Sequence, residues 1–272
     1  MLRTVLLVAI AIALLGATQT GRASRPLPSA LAKKTLRVMT YNIHVGIGMD
    51  KKLNLQRIAD VINHEHPDLA GLQEVDRGVQ RTQRIDEIAE IARLTQMEYA
   101  FAYNLQFQGG QYGVAILSRF PIKVIDHWRF ANVREKERRG MIRAEIEVHG
   151  QTINFVTTHL DYQYQDGRVF EAEQLLKLLA GIKGPVIVAG DFNDLPGADA
   201  YKIMTNQFRD AWIESKAIGE GLSYPADKPA KRIDYIFYRP DDSMRATRAW
   251  IVNTQASDHL PLVTDLEIRA VP

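Results

Sequence analysis

Acidic, amide and histidine side chains able to do chemistry occur at the ends of apolar, strand-like segments of this chain of 272 residues. Five apolar runs lead directly into such polar clusters, and one further cluster stands at the start of an apolar run. The clusters comprise residues 39–44, 72–76, 157–160, 189–193, 232–236 and 257–261. Burying a carboxylate beside core strands is costly unless its charge is compensated. We therefore expect the clusters to share a cation.

The donor atoms of these clusters indicate which cation they would bind. They are mainly carboxylate and amide oxygens, and the chain contains no cysteine. Oxygen ligands favour a hard divalent ion, so we predict Mg²⁺ or Mn²⁺, with Ca²⁺ as the alternative. Such an ion polarises a phosphoryl oxygen, and a histidine beside an acid transfers protons near neutral pH. The combination indicates hydrolysis of a phosphoester.

Each cluster taken alone also has a purely structural explanation. Asn42 could end a strand through a side-chain turn, and His159 could be a satisfied structural histidine. Glu74 could pair with Arg77 or Arg81 at the surface. Ordinary turns, ion pairs or strand caps could account for the remaining carboxylates, which are Asp191, Asp234 and Asp258. The joint occurrence of the clusters is what favours a functional site.

The elements that must position these clusters can be read from hydrophobic periodicity. The predicted strands cover residues 35–43, 68–75, 100–103, 112–118, 122–130, 141–148, 152–160, 185–190, 233–238, 245–252 and 262–268. The predicted helices cover residues 54–64, 84–96 and 169–182, and the third is expected to turn Phe170, Leu175, Leu176 and Leu179 inward. No internal repeat and no linker-like break follows residue 34, so residues 35–270 are predicted to form one α/β domain.

The N-terminal residues differ in composition from the rest of the chain. Residues 5–15 are apolar and follow Arg3, but about 20 apolar residues are needed to cross a membrane. Residues 1–23 are therefore predicted to be a signal peptide, cleaved after Ala23 or near Ala17. Residues 24–34 are predicted to be a flexible lead-in. We expect a secreted or periplasmic protein, with anchoring by an uncleaved N-terminal segment as the alternative.

Charge and cysteine content limit the function classes. Loss of the predicted signal peptide removes Arg3 and Arg22, which leaves 32 basic and 32 acidic side chains. Proteins dedicated to duplex DNA usually carry a basic face, so a neutral mature chain argues against that class, although a local basic patch remains compatible with it. Without cysteines there are no disulfides, and stability must come from the core.

Short motifs of this chain, taken in order, resemble those of the endonuclease/exonuclease/phosphatase superfamily, which includes DNase I and the neutral sphingomyelinases. The motifs are Tyr41-Asn42, Leu72-Gln73-Glu74, Ile116-Leu117-Ser118-Arg119, Thr158-His159-Leu160, Gly190-Asp191-Phe192-Asn193, Asp234-Tyr235-Ile236-Phe237 and Ser257-Asp258-His259-Leu260-Pro261. Each motif is weak alone, but the complete series in the family's order is specific. The resemblance covers residues 35–268 and implies a four-layered αββα sandwich of two mixed β-sheets flanked by helices.

The resemblance also implies which residues would bind the metal ion. Glu74 would be the principal ligand, with Asn42 beside it. Asp258 would contribute to the ion or to the neighbouring histidine. His44 stands where nuclease members often carry an acid, so a second metal position could be altered.

The same resemblance implies the roles of the catalytic residues. His259 would be the general base that activates water, and Asp234 would hold it in one tautomer. Asp191 and Asn193 would orient the nucleophile and bind the phosphate, while His159 would donate a hydrogen bond to a non-bridging oxygen. Whether Asp191 or His259 takes the proton is left open by the resemblance.

Some further positions are not assigned to the site. Val114 falls where many relatives have an asparagine, so a phosphate contact could be missing there. Basic and aromatic residues that could line a phosphate are interpreted as surface or packing residues, and these are Tyr112, Arg138, Arg139 and Arg168.

We therefore predict a divalent-metal-dependent phosphodiesterase that uses water activated by an Asp/His pair. Its substrate would be a small phosphodiester, a nucleic acid or a phospholipid head group, because the fold does not select among them. The alternatives are an extracellular nuclease and a sphingomyelinase-like phospholipid phosphodiesterase. A catalytically inactive binding module is the alternative from a different class. No protein partner is predicted, and we expect a monomer.

Overall fold

The structure is a computed structural model that describes residues 33–131, 137–241 and 243–269. The predicted signal peptide and most of the predicted lead-in lie outside the described residues. Within the described ranges, no helix is long and apolar enough to cross a membrane.

Twelve strands and five α-helices make up the described part of the chain. The strands are β1 (Lys33–Asn42), β2 (Leu69–Arg77), β3 (Glu98–Phe107), β4 (Gly110–Ser118), β5 (Ile122–Arg129), β6 (Gly140–Val148), β7 (Gln151–His159), β8 (Val186–Asp191), β9 (Arg209–Asp210), β10 (Asp234–Tyr238), β11 (Met244–Ile251) and β12 (Leu262–Arg269). The helices are α1 (Leu55–Glu65), α2 (Glu87–Thr95), α3 (Gln165–Leu179), α4 (Asp199–Thr205) and α5 (Ala211–Glu214).

The strands form two six-stranded mixed sheets, as predicted. The first sheet has the order β11-β12-β1-β2-β4-β3, and the second has the order β5-β6-β7-β8-β10-β9. Each sheet contains one parallel pair, β1 with β2 and β7 with β8, while its other pairs are antiparallel. The two parallel pairs occupy equivalent central positions in the two sheets.

Three apolar clusters separate the four layers of the fold. Side chains alternate between the two faces of a strand, so Leu36 and Val38 of β1 pack between the sheets, with Phe155 of β7. Met39 of the same strand packs with Ile58 of α1 on the outside of the first sheet. On the outside of the second sheet, α3 and α4 cover residues of β7, β8 and β10, including Val156, Val188 and Phe237. The predicted αββα sandwich is therefore confirmed.

The observed elements differ from the predicted ones mainly at their ends. The first strand begins at Lys33, within the predicted lead-in, because Lys33 and Lys34 pair with Arg269 and Ile268 of β12. The prediction that Phe170 faces inward is wrong, since 42% of this residue is exposed. Helix α3 begins at Gln165, and its buried stripe runs through the positions 167, 171, 172, 175, 176 and 179, which Phe170 does not join.

A glycine sets how closely the two sheets approach next to the strand ends. A Cβ atom on Gly71 of β2 would lie 2.7 Å from Oγ1 and 2.8 Å from Cβ of Thr157 in β7. Thr157 Oγ1 also accepts a hydrogen bond of 2.8 Å from Gln73 Nε2, which ties the two sheets together at this level. The sheets can therefore meet here only because position 71 lacks a side chain.

We predict that Gly71→Ala lowers the free energy of unfolding by about 1–3 kcal/mol, the usual cost of overpacking a core. Urea unfolding followed by circular dichroism measures the change. Gly181→Ala is the matched control, because a Cβ atom there meets nothing within 4 Å and should change stability by no more than about 0.5 kcal/mol. Equal free energies of unfolding for the two variants would contradict the prediction, because they would show that the sheets can move apart at position 71 without loss of stability.

Candidate active site

The ends of the two parallel strand pairs bring the polar clusters of both sheets together. Strand β1 ends at Asn42, β7 ends at His159 and β8 ends at Asp191, while Asp234 opposite Asp191 begins β10. The Asn42 amide spans the two sheets, because Nδ2 donates to Glu74 Oε1 at 3.0 Å and to Asp191 Oδ2 at 3.1 Å. The sequence clusters at these strand ends therefore form one site.

Glu74 reaches this site through an irregularity in β2. The pairing of β2 with β4 shifts register between Leu72 and Val75, and Glu74 has a φ of 56°. A residue other than glycine in this left-handed region costs about 1–3 kcal/mol and is held there only by its surroundings. Bulges of this kind re-aim side chains beside active sites. The strand distortion thus turns the Glu74 carboxylate toward Asn42.

The nearby arginines do not pair with Glu74. Arg77 Nε bonds to Asp86 at 2.9 Å, and Arg81 Nε bonds to Asp76 at 2.7 Å. The surface ion pair that could have explained Glu74 is therefore contradicted, and its carboxylate remains turned to the site.

His259 and Asp234 form a hydrogen-bonded pair next to Asp191. His259 Nδ1 lies 2.9 Å from Asp234 Oδ2, and His259 Nε2 lies 3.7 Å from Asp191 Oδ2. Burial by itself lowers the pKa of His259, but the charges of Asp234 and Asp191 outweigh it and raise the pKa to about 10. Asp234 is therefore the partner of His259, and not an ion-pair partner of Arg232, which bonds to Asp210.

Asp191 is a buried carboxylate whose negative charge is only partly compensated by its neighbours. It is 1% exposed, and burial together with the charge of Asp234 raises its pKa to about 7. Asp234 Oδ1 is buried and has no hydrogen-bond partner among the described residues. Ligand atoms of Asp191, Asp234 and His259 all lie within 4.8 Å of one another. Such a donor set, with negative charge in excess, suits a divalent cation bound next to it.

His159 is held in one tautomer by Arg139, a residue to which the sequence interpretation gave no role. Arg139 Nη1 lies 2.9 Å from His159 Nδ1, and a guanidinium can only donate. Burial and the charge of Arg139 keep the pKa of His159 well below its usual value, so the ring is neutral. Its proton is therefore on Nε2, 3.4 Å from Asp191 Oδ2.

Asn193 lies against the same histidine. Its Nδ2 donates to the Leu160 carbonyl at 3.1 Å and is also 3.1 Å from His159 Nε2. Asn193 has a φ of 50°, a conformation that asparagine tolerates better than most residues. The backbone N–H of Asn193 donates to Asp191 Oδ1 at 2.9 Å, which fixes the turn after β8.

Asp258 lies at the edge of the site and is more exposed than Asp191 and Asp234. Its side chain is 26% exposed, and its Oδ1 lies 3.6 Å from His44 Nδ1. The loop that carries it is attached to β1, because Ser257 Oγ donates to the Asn42 carbonyl at 2.7 Å. The histidine at position 44 thus stands beside Asp258.

A cleft of about 750 Å³, which we call the active-site cleft, is lined by Glu74, His159, Asp191, Asn193, Asp258 and His259. Its walls carry basic and aromatic side chains, among them Arg81, Phe107, Tyr112, Arg139, Tyr162 and Arg168. Tyr112, Arg139 and Arg168 were interpreted as surface or packing residues, and the structure places each of them in the lining of the cleft. Arg138 is exposed and is not among the lining residues, and Val114 is buried in the core between the sheets. A basic run directly before β6 was the only signal for Arg139.

This geometry defines an αββα sandwich protein with a buried acid–histidine site at the joined ends of its two sheets. Residues 39–259 match the model of the endonuclease/exonuclease/phosphatase family. The chain belongs to this family, whose members generally hydrolyse phosphoester bonds.

The chain is also similar to individual proteins, and the solved structures among them share its fold. The uncharacterized protein YbhP of Escherichia coli (strain K12) is 26% identical over 260 residues, covering 89% of this chain and 100% of YbhP. A solved endonuclease/exonuclease/phosphatase from Beutenbergia cavernae DSM 12333 is similar with a TM-score of 0.68 at 24% identity, covering 88% of this chain and 72% of that one. A functionally unknown conserved protein from Enterococcus faecalis V583 is similar with a TM-score of 0.75 at 17% identity, covering 86% and 100%.

We predict that Asp234→Asn lowers the pKa of His259, because the negative charge that raises it is lost. In metal-free native protein, protonated His259 stabilises the fold at neutral pH, and this contribution is lost as pH rises toward the pKa of about 10. Titration of the imidazole signals by NMR measures the pKa, and urea unfolding at pH 7 and pH 10 measures the linked stability. An unchanged His259 titration in the variant would contradict the pairing.

Proposed function

We propose that the protein is a divalent-metal-dependent phosphodiesterase. The observation that carries this proposal is the buried arrangement in which His259 bonds to Asp234 beside Asp191, with Asn42 linking Asp191 to Glu74. Acid, amide and imidazole groups are thereby concentrated at one end of the active-site cleft. This set matches what phosphoryl transfer requires, which is positioning of a nucleophile and stabilisation of charge.

We propose that Glu74 and Asp258 bind the cation, which would be Mg²⁺ or Mn²⁺, with Ca²⁺ as the alternative. Asn42 turns its amide nitrogen toward Glu74 and Asp191, while its Oδ1 accepts from the backbone N–H of His44 at 3.1 Å. In this orientation Asn42 holds the Glu74 carboxylate in place, and its Oδ1 has a second lone pair with which Asn42 would contribute to the cation. The cation, when bound, would polarise a phosphoryl oxygen and neutralise developing negative charge.

Asp191 and His259 are the groups that exchange protons with the attacking water in our proposal. Although burial lowers the pKa of His259, the charges of Asp234 and Asp191 raise it above that of Asp191, so His259 holds its proton more firmly than Asp191 does. This order favours Asp191 as the proton acceptor and protonated His259 as a donor to the phosphoryl group or the leaving oxygen. A cation bound beside them would lower both values. Asp234 keeps the His259 ring oriented and its Nδ1 proton occupied.

His159 and Asn193 are proposed to bind the non-bridging oxygens of the phosphate. Because Arg139 occupies Nδ1 of His159, the Nε2–H group of His159 is available to donate toward the site. Asn193 contributes one amide proton from the turn after β8, because its other amide proton is donated to the Leu160 carbonyl. Fixed donors of this type stabilise a transition state without needing to reorient.

A small phosphodiester is the substrate that the cleft favours. A volume of about 750 Å³ is typical of clefts that enclose small molecules, and the predicted mature chain has no excess of positive charge. An extracellular nuclease and a sphingomyelinase-like phospholipid phosphodiesterase remain the alternatives, and an inactive binding module is the alternative from another class. The monomeric state is part of the same proposal.

We predict that the full chain hydrolyses bis(p-nitrophenyl) phosphate with Mg²⁺ or Mn²⁺ and loses activity in EDTA. Glu74→Gln and His259→Ala should each lower kcat by about 10²-fold or more, because each removes a group that handles charge or protons. Glu220→Gln is the matched control, since Glu220 is exposed and lies outside the active-site cleft, and it should retain full activity.

The same preparation distinguishes the alternatives. Plasmid DNA, RNA and sphingomyelin assayed beside small phosphodiesters would rank the substrate classes by kcat/KM. No hydrolysis of any of them with any of the three metals would overturn the phosphodiesterase proposal and favour the binding module.

We also propose that the protein is secreted or periplasmic, on the basis of the apolar run in residues 5–15. The full chain with a C-terminal tag, expressed in a bacterial host, should appear in the periplasm or medium with Ser24 as its first residue. Deletion of residues 2–23 should leave the protein in the cytoplasm. An intact N-terminus in the membrane fraction would instead indicate an anchor, and a cytoplasmic full chain would overturn the proposal.

A further inference from the structure

Arg81 forms part of the wall of the active-site cleft and has a fixed orientation. It lies in a short 3-10 helix, Gln80–Thr82, between β2 and α2. Its Nε and Nη2 bond to the two oxygens of Asp76 at 2.7 and 2.9 Å, a bidentate arrangement that sets the plane of the guanidinium. A flexible surface arginine lacks such a constraint.

Asp76 is itself held firmly, so the orientation of Arg81 is built into the fold. Asp76 is 0% exposed, and its Oδ2 accepts a further bond of 3.2 Å from Thr82 Oγ1. Its backbone N–H donates to Glu87 Oε2 at 2.7 Å. Burial raises the pKa of Glu87 well above its usual value, so this carboxyl adds little negative charge near the pair.

The guanidinium of Arg81 also packs against the rings that line the cleft. Its Cζ lies 4.9 Å from the centre of the Phe107 ring and 5.2 Å from that of Tyr112. Both rings line the active-site cleft together with Arg81. Packing of this kind restrains an arginine side chain further and leaves its edge available for hydrogen bonds.

One terminal nitrogen of Arg81 takes no part in these hydrogen bonds. Nη1 makes no hydrogen bond to any residue that the structure describes, and the side chain is 36% exposed. The other cleft arginines are engaged differently. Arg139 contacts Glu137 and His159, and Arg168 donates to the Asp161 carbonyl and to Gln165. Arg81 is therefore an oriented donor that the proposed reaction does not use.

We propose that Arg81 binds a second anionic group of the substrate, a phosphate or carboxylate separate from the phosphoryl group that reacts. This inference rests on the proposed function, because the reacting phosphoryl group is placed at His159, Asn193 and His259. The Arg81 site would then select a small phosphoester with two acidic groups over one with a single acidic group. Arg81 acts here in substrate recognition through hydrogen bonds, and no covalent bond to it forms or breaks.

The test measures binding of paired ligands to the full chain by isothermal titration calorimetry at constant ionic strength. Alkanediol bisphosphates with two to six carbons are compared with alkyl monophosphates of the same length. The series varies the distance between the two phosphate groups, so the tightest-binding member identifies the distance that the site requires. The native protein should bind the best bisphosphate about 10-fold more tightly than its monophosphate, as expected for one charge-assisted hydrogen-bonded contact. Arg81→Gln should reduce this ratio to about 1.

Arg77→Gln is the matched control for the loss of one positive charge. Arg77 also bonds to an aspartate, Asp86, but it does not line the active-site cleft, so the ratio should remain about 10. Arg81→Gln leaves Asp76 buried without its partner and could impair folding. The double variant Arg81→Gln with Asp76→Asn removes both charges and should give the same ratio of about 1.

The outcomes separate this inference from the proposed function. A bisphosphate preference that survives in both Arg81 variants, or that is absent in the native protein at every chain length, would overturn the role of Arg81. Hydrolysis of bis(p-nitrophenyl) phosphate is scored independently. Binding that follows the expected pattern in a protein without hydrolytic activity would retain the anion site and reject the phosphodiesterase.

Discussion

The carboxylates of Asp191 and Asp234 lie opposite each other on neighbouring strands, away from water. Much of the site serves to compensate the charge of these two groups. Two buried negative charges repel each other and lose their hydration. His259 compensates by holding a proton between them, and the Asn42 amide donates to Asp191 from the other sheet. The divalent cation of the proposed function would compensate the remaining negative charge.

This electrostatic constraint determines what the surrounding strands must do. Donors from the first sheet can reach Asp191 only if the two sheets approach closely at this end, and Gly71 permits that approach. The left-handed conformation of Glu74 also serves to assemble the site. A regular β2 strand without this irregularity would direct the Glu74 side chain away from Asn42. Backbone strain and a missing side chain are thus local costs of assembling the site.

Two arginines of the cleft, Arg139 and Arg81, supply positive charge at different places. Arg139 lies beside His159, where it sets the tautomer and keeps the ring neutral. Arg81 lies against the aromatic wall, where Asp76 fixes its direction. Positive charge is therefore supplied in oriented form, while the predicted mature chain as a whole carries no excess. This separation supports the proposal of a small anionic substrate, whose charges would occupy definite positions.

The sequence by itself located the strands and the residues at their ends, and the resemblance of its ordered motifs to a known family implied the two-sheet fold. Apolar periodicity located β1, β7 and β8, and each polar motif followed from where a strand stops, so Asn42, His159 and Asp191 could be named without coordinates. Local composition suffices for this because strand ends are set by neighbouring residues. The tertiary structure alone decided that Arg139 and Arg81 belong to the cleft, that Phe170 faces outward, and that Asn42 directs its nitrogen toward the acids. Those outcomes depend on which distant side chains share a buried space, and contacts between residues far apart in the chain are not encoded in any local pattern.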